Sequence, residues 1–348
     1  MKKVSVIGFD MGDKTHKVVA LAEGGEVVER IEVSCTPEGV REYLSGHPGA
    51  LVAMETGTHC RWMCALGVEL GHEVLVGHAR KLRSIWQSSR KNDWNDAEQL
   101  ARLARADRKL FHPVRLRSDA AQALLRMVKA RDILVRNRTG IVTMIRGFTK
   151  ADGERLKSCS TESFVCLEFE VPASLRKTTK PLFAMLRELA KKIALYDKML
   201  ADALKDEALA ADAKLLQTVD GVGPVTTAAY LATVGDAQAF GNARDAGAYF
   251  GLAPRQSQSG DIDKQMRISK EGNGLVRRLL VSSAHYILGS FGPDSDLKRH
   301  GLRIAERGGK NARKRAVVAV ARKLSVVMIA MLKNRTEYRS LSQVEGMA

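Results

Sequence analysis

The sequence predicts an α/β domain at the N-terminus, then a helical arm, then a mainly helical C-terminal domain. Three patterns carry this. Short β-branched and alternating segments separated by turn residues run to Val76, apolar residues at spacings of three and four take over from Asp93, and basic residues crowd the last third.

Val4 to Phe9 is β-branched and ends on Asp10, and Lys17 to Ala22 reads as a second strand. Glu23-Gly24-Gly25 supplies a turn, after which Glu26 to Val33 alternates as a third strand. Thr36-Pro37-Glu38 is a helix start, with Thr as N-cap and Pro in the first helical position; the helix runs to Leu44 and stops at Gly46. Ala50 to Met54 is a short buried-type strand ending on Glu55, followed by a helix over Arg61 to Leu70 and a strand over Glu73 to Val76. The order βββαβαβ joins an antiparallel meander to parallel crossovers, the mark of one α/β domain.

Beyond it, Asp93, Asp96, Ala97, Leu100, Leu103 and Ala104 fall on one helix face. His112-Pro113 breaks the chain, and Ser118 opens a long amphipathic helix to Phe148. Residues 150–180 are polar, contain Pro172 and are followed by Pro181, and read as an irregular insert. Leu182 to Ala210 is helical again, with apolar residues at 182, 185, 186, 189, 193 and 200, compatible with an antiparallel or coiled-coil arm. From Leu216 a further domain begins, with Gly221-Val222-Gly223-Pro224 between helices, a glycine-rich loop over 251–274 and two basic helices after it. The domains are drawn at 1–150, 151–214 and 215–348.

Composition narrows the function classes. Hydrophobic residues make up 45% of the 348, which excludes wholesale disorder. The longest apolar runs, Ala316 to Ala321 and Leu324 to Leu332, are far too short to span a bilayer, and the N-terminus lacks a signal-peptide pattern. Five cysteines (Cys35, Cys60, Cys64, Cys159 and Cys166) form no C-x-x-C pair, so neither a disulfide framework nor a zinc ribbon is expected. These features predict a soluble, cytoplasmic protein. Its formal charge of +17 asks for a polyanionic partner. The excess is unevenly placed: residues 1–60 hold six basic against nine acidic side chains, whereas 251–339 hold nineteen against seven.

Asp10 and Glu55 each close a predicted strand, and strand ends are where open sheets bind ligands. Asp93 and Asp96, three apart on a helix, head the apolar stripe that faces the sheet. Four carboxylates gathered at one edge repel unless a cation joins them, and all-oxygen ligation suits magnesium (Mg2+) or manganese (Mn2+). Two such ions about 4 Å apart clamp both oxygens of an in-line displacement at phosphorus. Taken singly, each acid is better read as an ordinary cap or surface group. His16 and His59 lie near the same strand ends and read as packing residues. The Asp10-Met11-Gly12 turn with Thr15 also resembles the phosphate loop of actin-like sugar kinases, but no second glycine-rich nucleotide loop follows.

Read together, Ile-Gly-Phe-Asp10-Met-Gly-Asp-Lys14-Thr-His16, Met-Glu55-Thr-Gly57-Thr and Lys91-Asn-Asp93-Trp-Asn-Asp96-Ala resemble the DEDD signature of the IS-one-ten (IS110) insertion-sequence transposases, which include the pilin-gene invertase. The resemblance implies a RuvC-like N-terminal domain of RNase H fold, with Asp10, Glu55, Asp93 and Asp96 as its metal-binding tetrad. Asn92 and Trp94 stand where the family often has Thr and Arg, a departure that touches no implied ligand.

Gly221-Val-Gly223 between two helices resembles a helix–hairpin–helix, whose backbone N–H groups suit a phosphate. In Tyr249-Phe-Gly-Leu-Ala-Pro254-Arg255-Gln-Ser257-Gln-Ser259-Gly260, the serine that matches the family's serine–glycine position is Ser259, with Ser257 as the alternative register. A serine hydroxyl attacks only when something takes its proton or neutralises the phosphate. Arg255, Lys264, Arg267, Lys270, Arg277 and Arg278 flank the loop and suit that task, while Lys310, Arg313, Lys314 and Arg315 open the last basic helix.

The expected function is a DNA transposase of an insertion sequence. By resemblance it cuts and rejoins donor and target DNA through a phosphoserine link, guided by a structured non-coding bridge RNA. By the same resemblance it works as a tetramer, a dimer of dimers, in which one subunit's tetrad serves another's serine. A metal-dependent junction resolvase without a serine intermediate, and a basic nucleic-acid-binding protein with vestigial acids, are the alternatives.

Overall fold

The structure is a computed structural model that describes residues 3–83, 92–259 and 262–340. The chain divides into two compact units, Met1–Leu116 and Arg117–Ala348.

In the first unit, β1 (Val4–Asp10), β2 (Thr15–Ala22) and β3 (Val27–Ser34) form an antiparallel meander. Next come α1 (Pro37–Ser45), β4 (Leu51–Glu55), α2 (Cys60–Glu69), β5 (Val74–Gly77), α3 (Ala79–Arg83) and α4 (Asp93–Ala106). The strands lie in the order β3-β2-β1-β4-β5, with β4 parallel to both β1 and β5. This is the expected element order, and local chemistry explains its punctuation. The Thr36 hydroxyl accepts the Gly39 amide ahead of α1, and the Asn92 side chain accepts the Trp94 amide ahead of α4.

Alternation along the strands builds two cores. Ile7, Phe9, Val18, Val52 and Met54 pack with Val40, Leu44, Met63 and Leu66 on the α1–α2 face. Val6, Val19, Leu21, Leu51 and Ala53 pack with Ala97, Leu100, Ala101 and Ala104 of α4 on the other. The α4 stripe carries mostly alanine because the helix comes very close: a Cβ on Gly8 would overlap the Ala97 carbonyl and lie 2.8 Å from the Ala101 nitrogen.

The second unit opens with α5 (Asp119–Ala151), which the Ser118 hydroxyl caps by accepting the Ala121 amide. It runs antiparallel to α6 (Ala173–Ala203), since Arg131 grips Asp197 while Ile145 shares a core with Phe183 and Leu186. The sequence reading made 150–180 irregular and started this helix at Leu182. Instead α6 begins at Ala173 and passes through Pro181. The ring removes one helical donor, but Phe183 and Leu186 are fully buried against Phe164, which stacks on Phe183 at 5.7 Å, and this packing holds the helix through the break. A short 3-10 helix over Ser163–Glu170 supplies Phe164.

The helix expected to continue to Ala210 ends at Ala203, and the Asp206 carboxylate caps a separate α7 (Glu207–Leu216). Then follow α8 (Pro224–Val234) and the single-turn α9 (Ala246–Tyr249). The glycine-rich loop expected over 251–274 contains a β-hairpin, β6 (Pro254–Ser259) with β7 (Ile262–Ile268). The unit closes with α10 (Gly274–Leu288), α11 (Asp296–Glu306) and α12 (Ala312–Asn334). Every residue from Thr226 to Thr233 is buried, so α8 is the central helix, surrounded by Leu280, Val320, Leu324 and Met328 among others. The Tyr230 hydroxyl, buried with it, donates to the Ser325 carbonyl at 2.6 Å.

Helix α5 belongs by its packing to the second unit, so the division falls at 116/117, whereas the sequence reading drew it at 150. Among the described residues, no helix is long and apolar enough to cross a membrane.

Candidate active site

Strand pairing decides where the carboxylates of the first unit stand. β1 and β4 are parallel neighbours in register to Phe9–Met54, so Asp10 and Glu55 follow side by side at their C-terminal ends. Val6 and Gly8 on β1, and Leu51 and Ala53 on β4, face α4; by the strand period of two, so do Asp10 and Glu55. Both are half-buried.

Helix α4 runs back along the sheet. Its Arg102 and Arg105 donate to the Gly25 and Glu23 carbonyls at the end where β1 begins, and Ala97 crosses at Gly8. Its first turn, carrying exposed Asp93 and half-buried Asp96, therefore lies at the opposite end, with Asp10 and Glu55. Lys17 marks the same place: it pairs with Asp10 across β1 and β2 and its ammonium sits 5.1 Å from the centre of the Trp94 ring. The four acids thus share one face and one end of the sheet. Among the described residues, however, no three His, Cys, Asp or Glu side chains are close enough together to hold a metal ion. The donor chemistry fits a hard divalent cation, and the ligand cage is not closed. Residues 84–91, directly before Asn92, lie outside the described residues.

Sequence reasoning missed Lys17, because register across a hairpin is not visible in composition. Lys17 also pairs with Glu32, holding that carboxyl below its usual range. Under the same end, on the α1–α2 face, His16 is fully buried among Phe9, His59 and Trp62, with neither ring nitrogen hydrogen-bonded. Burial, with the nearby His59 adding to it, lowers its pKa to about 4, so the ring is neutral. It behaves as the packing residue expected.

In the second unit, Ser259 is the last residue of β6, opposite Ile262, and Ser257 stands opposite Lys264. The side chains of Ser257, Ser259 and Lys264 lie outside the described residues. Arg255, Arg267 and Lys270 are exposed along the hairpin and at its base. Arg277 and Arg278, expected to stabilise charge on the phosphate, both have partners within the fold. Arg277 donates to the Phe250 and Glu271 carbonyls at 2.9 and 2.7 Å, tying down the chain on both sides of the hairpin. Arg278 grips both oxygens of Asp132 at 2.7 and 2.8 Å.

Gly221 and Gly223 occupy the turn from α7 to α8, where Gly221 lies against the Tyr286 ring. Lys310, Arg313, Lys314 and Arg315 are exposed around the start of α12. Cations there oppose the positive end of the helix dipole, an arrangement that an anionic partner would relieve.

A family model described as a transposase of the DEDD IS110 type matches residues 7–150, and the IS116/IS110/IS902 transposase model matches residues 213–300. The chain belongs to the IS110 family of transposases. The first match takes in the Asp10, Glu55, Asp93 and Asp96 edge, and the second takes in the α7–α8 turn and the serine hairpin. Relatives span nearly the whole chain. The transposase for insertion sequence element IS1111A of Coxiella burnetii is 29% identical over 346 residues, covering 97% of this chain and 92% of that protein. The transposase for IS1328 of Yersinia enterocolitica is 28% identical over 82% of this chain and 84% of its own length. The pilin gene-inverting protein of Moraxella lacunata is 32% identical over a shorter stretch, 36% of this chain and 38% of that protein. An insertion-sequence transposase of this family has DNA as its substrate.

Proposed function

We propose that this IS110-family transposase cuts and rejoins donor and target DNA through a covalent phosphoserine at Ser259. The observation that carries the reading is the convergence of Asp10, Glu55 and the first turn of α4 at one end and one face of the sheet. In this reading the N-terminal unit is RuvC-like, and Asp10, Glu55, Asp93 and Asp96 hold Mg2+ or Mn2+ once the phosphodiester draws them together. Bound there, the ions would neutralise phosphate charge and lower the pKa of the attacking hydroxyl.

The serine chemistry balances without a redox partner. The Ser259 hydroxyl loses its proton, its oxygen bonds to phosphorus, and one ester oxygen leaves and is protonated. Attack by a hydroxyl of a new strand end then reverses the exchange and frees the serine. Arg255 and Arg267, exposed on the two strands of the hairpin, are suited to hold the phosphate. The same reading includes a structured non-coding RNA that pairs with donor and target, a tetramer that lends one subunit's carboxylates to another's serine, and action on nucleoid DNA in the cytoplasm.

The test is strand exchange with purified protein, RNA, donor and target DNA and Mg2+. Wild-type protein is expected to form a protein–DNA adduct that survives denaturing electrophoresis, and Ser259→Ala to form none. An adduct retained in Ser259→Ala and lost in Ser257→Ala moves the nucleophile to Ser257. Cleavage without any adduct supports a metal-dependent resolvase instead. Asp10→Asn or Glu55→Gln retaining full activity removes the metal site.

A further inference from the structure

The basic side chains at the start of α11 are answered within the fold. On α11, Arg299 bonds Asp294 and Asp296 at 3.1 and 2.9 Å, and the Lys298 ammonium reaches the Gly289 and Gly292 carbonyls. One turn further on, this stops. His300, Arg303 and Arg307 follow at spacings of three and four, so they share one side of α11 and its C-terminal end. Lys323 of α12 adjoins them, one turn beyond Val320. Among the described residues, none of these four makes an ion pair or a side-chain hydrogen bond, and no ion pair joins the neighbouring Glu306 to them.

Backbone packing makes the crowding unavoidable. A Cβ on Gly301 would lie 2.5 Å from Leu288 and 2.6 Å from Val320, so α11 is pressed against α10 and α12 where His300 and Lys323 emerge. The close approach of the helices fixes where the roots of these side chains stand. Burial first, then the neighbouring Lys323, Arg303 and Arg307, lowers the His300 pKa. A cluster of like charge of this kind attracts a polyanion.

We infer that the α11–α12 seam, formed by His300, Arg303, Arg307 and Lys323, is a phosphate-backbone contact for duplex DNA, separate from the serine hairpin. Duplex DNA is favoured because the family's substrate is DNA, and because three side chains repeating along a helix meet a regular row of phosphates. The inference rests on the reading of the chain as a DNA transposase, and it needs no strand to be cut. Its residues hold register on the duplex and read no sequence.

The test is binding of full-length protein to a random-sequence duplex in EDTA, so that catalysis plays no part, over a range of salt concentrations. For Arg303→Gln/Arg307→Gln/Lys323→Gln, the slope of log affinity against log salt is expected to be shallower by roughly 2 to 3, near 0.9 per lost phosphate contact. Affinity at about 0.1 M salt should fall by at least tenfold. Lys157→Gln/Lys191→Gln/Lys205→Gln removes the same charge from residues paired with Glu170, Glu188 and Asp202, and should leave the slope nearly unchanged. Arg303→Lys/Arg307→Lys should keep it steep and guards against misfolding. Equal loss in both triple variants would show a net-charge effect and overturn the assignment. A loss confined to a structured RNA of similar charge would give the seam to RNA and also overturn it. Intact binding with failed strand exchange would count against the serine chemistry, not against the seam.

Discussion

The carboxylate edge and the serine hairpin are positioned by opposite means. Asp10 and Glu55 extend from adjacent central strands of a five-stranded sheet, with α4 pressed onto Gly8 beneath them. The hairpin is a two-stranded ribbon, a unit of marginal stability alone, and it is fixed at its base. There Ser269 and Lys270 donate to the Ala253 and Gly251 carbonyls, and Arg277 bridges Phe250 and Glu271. One site is held by a buried core and the other by a few polar anchors. Damage to the first should therefore unfold its unit, and damage to the second should misplace a residue while sparing the fold.

The largest effect is expected at Gly8. Gly8→Val would drive a branched side chain into the backbone of α4 at Ala97 and Ala101. The loss should be more than about 4 kcal/mol, in the exceptional range for a single substitution. Limited proteolysis should show the first unit digested and α5 to α12 protected. Wild-type resistance throughout would mean that α4 adapts and that the sheet alone fixes the acids.

Gly272→Ala probes the hairpin. Gly272 has φ +69 and a Cβ there would overlap the Tyr249 carbonyl, opposite Gly251 at φ +67. The left-handed backbone costs about 1–2 kcal/mol in a non-glycine residue before any clash. Adduct formation at Ser259 should fall by at least tenfold, with the cooperative thermal transition of the helices shifted by only a few degrees. A collapse of that transition would place the hairpin's base inside the core and dissolve the contrast between the two sites.

The sequence showed one of these regions better than the other for the same physical reason. β-Branched and buried-type runs with turn residues between them, and alternation in β3, made β1 to β5 legible, and the spacing of Asp93, Asp96, Ala97 and Leu100 oriented α4. The hairpin was invisible because Arg255-Gln-Ser-Gln-Ser259 has no apolar period; its support comes from Arg277, in a different element. The start of α6 was hidden by Pro181, whose penalty is offset by Phe164, distant in sequence. Lys17 opposite Asp10 depends on register, and the carbonyl and carboxylate partners of Arg277 and Arg278 stand in other elements, where sequence spacing does not show them.

A smaller effect should separate the units by pH. His16 has a folded pKa of about 4, below the ordinary 6.5, through burial and then His59. A depressed value means that the unfolded chain takes up a proton near pH 6.5 that the folded chain refuses until about pH 4. The stability of the first unit is thus fully present above pH 6.5 and lost as pH falls toward 4, by on the order of 2 kcal/mol. His16→Phe should flatten this dependence in urea melts followed by tryptophan fluorescence, since Trp62, Trp86 and Trp94 all belong to the first unit. An unchanged slope would assign the acid sensitivity to carboxylates instead.

The smallest expected effect tests the helical unit by itself. The Tyr230 hydroxyl is fully buried and donates to the Ser325 carbonyl at 2.6 Å, joining the central helix to α12. Tyr230→Phe removes the donor but leaves the ring against Phe250, at 5.1 Å between centroids. The carbonyl left behind belongs to a helix interior and retains its place in the main-chain ladder, so no bare acceptor is created and the cost should stay near 1 kcal/mol. In a unit of this size, that is a shift of roughly 2–4 °C. Two calorimetric transitions, of which only the one that is insensitive to His16→Phe moves, would show that the units unfold separately. A single transition that moves as a whole would show that carboxylate edge and serine hairpin stand or fall together, and the separate treatment of the two sites would then give way to one cooperative molecule.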